Sequence, residues 1–278
     1  MSRGKAPVLA VAVERLPAPD LPSWLQAMLP DGARRFLLPL AGQLIHVMET
    51  GPEDGRPVLL VHGNPTWGFL WRKVATALAG SGLRVVMPDL VGLGLSSKPL
   101  DPAEHQLRAH MEWMAAVVRG LDLRDVILGV QDWGGPVGVG AFLGQEARLA
   151  ALVVGNTVLG PPKEGFRATA FHRFARLPVL SDLAFRGLQF PQAYLWSGQG
   201  DRSSIRGDVS RAYRWPLRGR SRNVAPLALA RMVPDSLAHA SVGPLTDVEA
   251  MIAGFRGPAA IVWGDRDPVL GRLKNRIA

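Results

Sequence analysis

The stretch LGVQDWGGPVG, residues 128–138, sets an aspartate and a tryptophan between an apolar run and a glycine-rich segment. The run at residues 125–131 has the aliphatic composition of a strand that is buried on both faces. A glycine-flanked turn follows at Asp132 and Trp133, and residues 136–146 are compatible with a helix. The stretch therefore predicts a strand, a sharp turn and a helix, with an ionisable side chain at the tip of the turn.

The same alternation of strand and helix continues on both sides of this turn. Further strands are predicted at residues 42–49, 57–63, 84–89, 151–156 and 259–265, and further helices at residues 70–78 and 107–119. Strands that alternate with helices in this way favour the α/β class, with a mostly parallel, doubly wound sheet.

The alternation stops near residue 160, where the sequence becomes rich in proline, arginine and aromatic residues and has only short helical segments, such as 171–176 and 180–188. We therefore predict a core formed by residues 1–159 and 236–278, with a helical cap inserted at residues 160–235. The cap aromatics either line an apolar pocket or form the core of the cap: Phe171, Phe174, Phe185, Phe190, Trp196 and Trp215.

Charge and composition restrict the function classes. The net charge is +9, and residues 201–222 hold seven arginines against two aspartates. This excess indicates either a surface for an anionic partner or an ordinary solvated face; no nucleic-acid module signature is present, so no nucleic-acid partner is expected. The absence of cysteine excludes disulfides and thiolate metal sites and is compatible with the cytoplasm. No apolar run reaches the length of about 18 residues that a membrane span needs.

Polar and glycine residues follow four of the predicted strands. They occur in VHGNPTWGF (residues 61–69), PDLVGLGLSSKP (88–99), VQDWGGPVG (130–138) and VWGDRDPVL (262–270). Because ligands of open α/β sheets bind at the carboxyl ends of the strands, we expect these segments to form one site.

Together, the HGNPT, DLVGLGLSSKP, QDWGG and GDRDPVL segments closely resemble the haloalkane dehalogenases, from about residue 36 to the last residue. The glycine-flanked turn resembles the nucleophile elbow of α/β-hydrolases, with Asp132 where serine usually stands. The pair of Asn64 and Trp133 is the most specific part of the likeness. The resemblance implies an α/β-hydrolase fold, with a further strand and a closing helix that this chain lacks.

The resemblance also implies residue roles. Asp132 would be the nucleophile that forms an alkyl ester, and Asn64 and Trp133 would bind the departing halide. The acid that orients the base would be Asp267, with Asp265 as the less favoured reading, because Asn156 and its neighbours offer no carboxylate after the preceding strand. This combination resembles the third recognised subgroup of the family.

The base histidine expected beyond Asp267 is not found in this chain. Its six histidines all precede that position: His46, His62, His105, His110, His172 and His239. Either the chain is truncated or the protein has lost its base, and the apolar strand that a cut sheet would leave at its edge favours truncation. We interpret His62 and Asp89 as structural rather than catalytic.

The resemblance implies a small halogenated apolar substrate, water as co-substrate, a halide product and neither a metal nor an organic cofactor; a homo-oligomer stays open. Two alternatives remain. Epoxide hydrolases share the Asp-Trp elbow and use two cap tyrosines, for which Tyr194 and Tyr213 are candidates. A non-catalytic module with an arginine-rich interaction surface is the other.

Overall fold

The computed structural model describes residues 13–167 and 169–271, apart from the side chains of Arg220 and Ser221. Eight strands form one sheet: β1 (Leu16–Pro17), β2 (Arg34–Leu40), β3 (Gln43–Thr50), β4 (Pro57–Val61), β5 (Arg84–Pro88), β6 (Val126–Asp132), β7 (Leu149–Thr157) and β8 (Ala259–Val262). Their order in the sheet is β1-β2-β3-β5-β4-β6-β7-β8. The pairs β1-β2, β2-β3 and β3-β5 are antiparallel. The pairs β5-β4, β4-β6, β6-β7 and β7-β8 are parallel.

Nine α-helices accompany the sheet in the described residues. They are α1 (Ser23–Gln26), α2 (Arg72–Ala77), α3 (Leu107–Gly120), α4 (Gly134–Gly140), α5 (Ala170–Ala175), α6 (Leu180–Asp182), α7 (Gly207–Arg214), α8 (Val224–Arg231) and α9 (Val242–Gly254). A π-helical turn, Leu183–Gly187, continues α6 directly. None of the helices in the described ranges is long and apolar enough to cross a membrane.

The centre of the sheet is buried on both faces, as the continuous apolar runs predict. In β4 and β6 the register pairs Leu60 with Gly129 and Val61 with Val130. An added Cβ at Gly129 would lie 2.6 Å from Leu60 Cδ2, so the Leu60 side chain packs over this glycine. This parallel register places the carboxyl ends of β4 and β6, and the loops after Val61 and Asp132, side by side.

The predicted mostly parallel α/β sheet is confirmed, with differences in detail. The helix predicted at residues 136–146 is α4, which starts two residues earlier and ends at Gly140. Gly144 then takes φ +74, a left-handed conformation that suits a turn and not a helix. Strands β1 and β2 and helices α1 and α9 were not predicted.

Between β7 and α9 the described residues form helices and turns without a strand, which is the character predicted for the cap; its bounds of 160–235 stay a prediction. The predicted cap aromatics divide into two groups. Phe171, Phe174, Phe185 and Phe190 pack on one another, with ring centroids 5.3–6.5 Å apart, and form the core of the cap with α8. Trp196 and Trp215 instead line clefts on its surface.

Candidate functional site

The turn at Asp132 is held in an uncommon backbone conformation. Asp132 ends β6 with φ +52, a left-handed value that costs a non-glycine residue about 1 kcal/mol or more. Two glycines make the sharp turn possible, because an added Cβ at Gly134 would lie 2.1 Å from Val61 O and one at Gly135 would lie 1.9 Å from Thr157 Oγ1. Thr157 also donates its hydroxyl hydrogen to the Asp132 carbonyl. Close contact with β4 and β7 therefore fixes the elbow.

The loop after β4 supplies backbone donors to the Asp132 carboxylate. The Asn64 N–H donates to Asp132 Oδ1 over 2.7 Å, and the Trp133 N–H also donates to the carboxylate. Gly63 has to be glycine, since an added Cβ would lie 2.2 Å from Asp132 Oδ1. The carboxylate is thus oriented by two neutral N–H groups that come from different loops.

Burial raises the pKa of Asp132 to about 6. The charge of Asp267 raises it further, whereas the hydrogen bonds from Trp133 and Asn64 lower it. At neutral pH the carboxylate is mostly ionised, and it is also poorly hydrated. Both properties favour its use as a nucleophile.

Asn64 connects this loop to the cap. Its side-chain Nδ2 donates to the Pro226 carbonyl of α8 over 2.9 Å, which fixes which end of the amide is the nitrogen. A primary amide has two N–H bonds, so one remains for a ligand. The Asn64 Oδ1 atom is buried and has no partner among the described residues.

Trp133 is 8% exposed and begins the turn into α4. Its indole N–H makes no hydrogen bond to the described part of the chain, although buried indole N–H groups usually find an acceptor. A free indole donor next to Asp132 is the property that an anion-binding role requires.

The carboxylate of Asp267 is oriented by its own turn. Oδ1 accepts the Val269 and Leu270 N–H groups over 2.8 and 2.9 Å, and Oδ2 accepts from Asn156 Nδ2 over 3.1 Å. Asn156 also exchanges two hydrogen bonds with the backbone of Gly264, so the end of β7 holds the loop after β8. Asp265 is exposed in the same loop, which favours Asp267 for a role at the site.

The six histidines of the chain all lie in described residues, and no described hydrogen bond joins any of them to Asp132 or Asp267. His62, the closest in sequence, uses Nδ1 to donate to Gly63 O over 2.9 Å and Nε2 to accept the Leu90 N–H over 3.0 Å. Burial lowers the pKa of His62, so the ring is neutral. Its two hydrogen bonds connect the loop after β4 to the loop after β5. This agrees with the structural role predicted for it.

Asp89 is buried and accepts three hydrogen bonds, from His46 Nδ1 and from the Gly68 and Leu95 N–H groups, over 2.7–2.9 Å. Despite its burial, these contacts and the nearby imidazoles lower the pKa of Asp89. It organises the loop after β5, as interpreted from the sequence.

The two tyrosines do not join the elbow. Tyr213 is buried, with its ring edge-on to Phe69 at 5.4 Å and its hydroxyl accepting from Arg72 over 3.4 Å. Tyr194 is half exposed beside Phe190. No described contact brings either hydroxyl to Asp132.

Comparison with known proteins identifies the family of this chain. The α/beta hydrolase fold model matches residues 56–275. A haloalkane dehalogenase of Mycobacterium marinum is 34% identical over 232 residues, which cover 82% of this chain and 74% of that protein. A cis-3-alkyl-4-alkyloxetan-2-one decarboxylase of Xanthomonas campestris is 31% identical over 237 residues, covering 81% and 77%. Among solved structures, a mutant of the haloalkane dehalogenase DatA from Agrobacterium tumefaciens superposes with a TM-score of 0.74 and 27% identity, covering 84% of this chain and 81% of that chain. The chain belongs to the α/β-hydrolase fold family and, within it, to the haloalkane dehalogenases.

Proposed function

We propose that this protein is a hydrolase of carbon–halogen bonds, with Asp132 as its nucleophile. A carboxylate that is ionised without a base can displace a leaving group from a saturated carbon. One Asp132 oxygen forms a bond to the halogen-bearing carbon while the carbon–halogen bond breaks and the pair of electrons leaves with the halide. The observation that carries the proposal is the part-buried, hydrogen-bonded carboxylate on the left-handed elbow.

The leaving halide needs hydrogen-bond donors at the position where its negative charge develops. Asn64 has one amide N–H beyond the bond to Pro226, and Trp133 has its indole N–H. Both are neutral, so they stabilise the anion without the strong ion pairing that would slow its release. We assign these two side chains to the halide.

The alkyl ester is then cleaved by water at its carbonyl carbon, which releases the alcohol and restores Asp132. Negative charge develops on the former carboxylate oxygen, where the Asn64 and Trp133 backbone N–H groups already donate. Asp267 is the proposed acid that orients the base. The base itself is not assigned to any of the six histidines.

The test is incubation of the 278-residue chain with 1-bromobutane, followed by halide titration and intact mass. Because no described hydrogen bond joins a histidine to Asp132 or Asp267, we expect about one bromide per protein and a stable butyl ester on Asp132. The Asp132→Asn variant should form neither. Asp125→Asn is the matched control, since Asp125 also has a positive φ (53°) but is exposed and pairs with Arg56.

Two results would contradict the assignment. An adduct that persists in Asp132→Asn would place the nucleophile elsewhere, and folded protein that releases no bromide from a panel of bromoalkanes would remove the proposed activity. Sustained turnover would show that a base acts within this chain.

A second candidate is supported by the decarboxylase relative, at 31% identity. The same carboxylate could attack the ring carbon that bears the lactone oxygen in a cis-3,4-dialkyl oxetan-2-one, which opens the ring and frees a carboxylate. The carbon–carboxylate bond then breaks, its electrons form the alkene, and Asp132 leaves as the carboxylate while carbon dioxide departs. These steps consume no water and need no base.

The two reactions are therefore distinguished by turnover. If the oxetanone is the substrate, we expect many equivalents of cis-alkene and carbon dioxide per protein under conditions that give one bromide or none from bromobutane. Asp132→Asn should abolish both. The absence of alkene from folded protein would remove this candidate.

The epoxide hydrolase alternative receives no support from Tyr194 and Tyr213, which contact other parts of the chain. The proposed chemistry uses no metal or organic cofactor. We also propose a cytoplasmic location, supported by the absence of cysteine, and a homo-oligomeric assembly stays a prediction.

A further inference from the structure

The cap leaves an unusual set of aliphatic side chains in solvent. Five of them lie within residues 177–188 and are between 46% and 76% exposed: Leu177, Val179, Leu180, Leu183 and Leu188. We call this set the apolar tip. Single exposed aliphatic residues are normal on a protein surface, but a contiguous group of them marks an interaction site.

The backbone at the apolar tip is strained. Val179 has φ 62 and ψ −53, and the Leu180 N–H donates to Pro178 O over 2.6 Å, which together form the rare γ-turn. A β-branched residue seldom takes this conformation. Since the Val179 side chain is 76% exposed, contacts within the described residues do little to compensate the strain. A strained turn that displays an apolar side chain suggests a contact outside the chain.

The cap segment that carries the apolar tip is strongly basic. Residues 160–235 contain thirteen Lys and Arg against five Asp and Glu, so this segment carries eight of the nine net positive charges. Four of the arginines that make no ion pair with the described residues lie close together in sequence and form what we call the arginine face: Arg202, Arg206, Arg214 and Arg218. Arg206, Arg214 and Arg218 line two neighbouring clefts that share Arg214. Arg202 lies over the ring of Trp196, which lines the first cleft, at 6.0 Å from its centroid.

Gln189 links the apolar tip to the arginine face. Gln189, next to Leu188, lines the same cleft as Arg214 and Arg218, and its Nε2 donates to Leu217 O over 3.0 Å. Arg218 lies over the Trp215 ring at 4.0 Å from its centroid. Aliphatic side chains, tryptophan and arginine thus occur on adjoining parts of one surface.

We propose that this surface docks on an anionic phospholipid bilayer. The apolar tip enters the boundary between headgroups and acyl chains, and the arginine face contacts lipid phosphates. A second copy of the chain fits less well, because a symmetric contact would bring two arginine faces together. Nucleic acid would leave the aliphatic side chains without a partner.

The apolar part is tested by sedimentation of the full chain with vesicles of phosphatidylcholine, with and without phosphatidylserine. The protein should bind only the vesicles with phosphatidylserine. A Leu180→Ser, Leu183→Ser double variant should lower the partition coefficient by at least about tenfold. The control is a Leu100→Ser, Leu237→Ser double variant, because these leucines are similarly exposed (62% and 65%) but lie outside the tip. It should bind as the unmodified protein does.

The charged part is tested by a triple arginine-to-glutamine variant at Arg202, Arg206 and Arg218. Each arginine removed from an anionic surface should weaken binding about fivefold, and the triple variant about a hundredfold. The control triple variant has the same net charge but changes exposed arginines elsewhere: Arg108, Arg119 and Arg256. A much smaller effect is expected from it.

Circular dichroism melting confirms that each variant is folded before binding is compared. Equal losses in the test and control variants would overturn the proposal, as would equal binding to neutral vesicles or none to anionic ones. Light scattering that shows a dimer broken by the leucine variants would assign the surface to a second copy instead. Tighter binding of single-stranded DNA than of vesicles, lost in the test arginine variant, would likewise overturn it.

Discussion

Asp132 is expected to destabilise the fold whenever it is ionised. Its pKa is about 6 in the folded protein against an ordinary value of 3.8, so between these pH values the folded state binds more protons than the unfolded state. The protonated form therefore stabilises the fold fully below pH 3.8, and this stability is lost as the pH rises through 6. The difference of about two pKa units corresponds to about 3 kcal/mol.

The perturbation is Asp132→Asn, which removes the charge and keeps the shape. Its free energy of unfolding, relative to the unmodified protein, should rise by up to about 3 kcal/mol between pH 4 and pH 8. Urea titration at several pH values measures this difference. The variant also loses the charge-assisted hydrogen bonds from Asn64 and Trp133, which shifts the difference in the free energy of unfolding. The change of this difference with pH reports the effect of the Asp132 charge. A difference that stays flat with pH, or that falls, would refute the reasoning.

Three further changes are expected to have measurable effects. Asp267→Asn removes a charge that raises the pKa of Asp132, so the pH midpoint for release of the first halide should move to lower pH; Asp265→Asn should leave it in place. Gly63→Ala places a Cβ 2.2 Å from Asp132 Oδ1 and should lower the free energy of unfolding by about 2 kcal/mol and slow halide release about a hundredfold. The control is Gly243→Ala, which has open space around the added Cβ and should have neither effect. Val179→Gly relieves the backbone strain of the γ-turn, so it should raise the free energy of unfolding, measured in urea, by about 1 kcal/mol. It should also weaken vesicle binding, because it removes an apolar side chain. A lower free energy of unfolding would show that the turn is not strained.

The parallel strands were predictable because burial on both faces gives continuous apolar runs. Strand β2 was not, since its RRFLLPL sequence contains two arginines and a proline and lies on the antiparallel side of the sheet, where only part of each strand is buried. Helix α9 was missed because the Gly243-Pro244 pair is typical of a turn in sequence, although proline is tolerated in the first turn of a helix, where it stands here.

The elbow and the loop of Asn64 were predictable because their glycines and polar residues are local in sequence. The partners of these residues were not. Asn64 bonds to Pro226, 162 residues away, and Asn156 bonds to Asp267, 111 residues away. A proline carbonyl and an asparagine after a strand carry no signal of their own, and only the closed fold shows what they contact.

The hydrogen bond from Asn64 to Pro226 has a thermodynamic consequence. One amide group both fastens α8 to the β4 loop and, in the proposed mechanism, meets the departing ion. Binding equilibria that share a group are reciprocal. If a bound halide stabilises the position of α8 through this amide, displacement of α8 weakens halide binding by the same factor, so product release and the position of α8 are thermodynamically coupled.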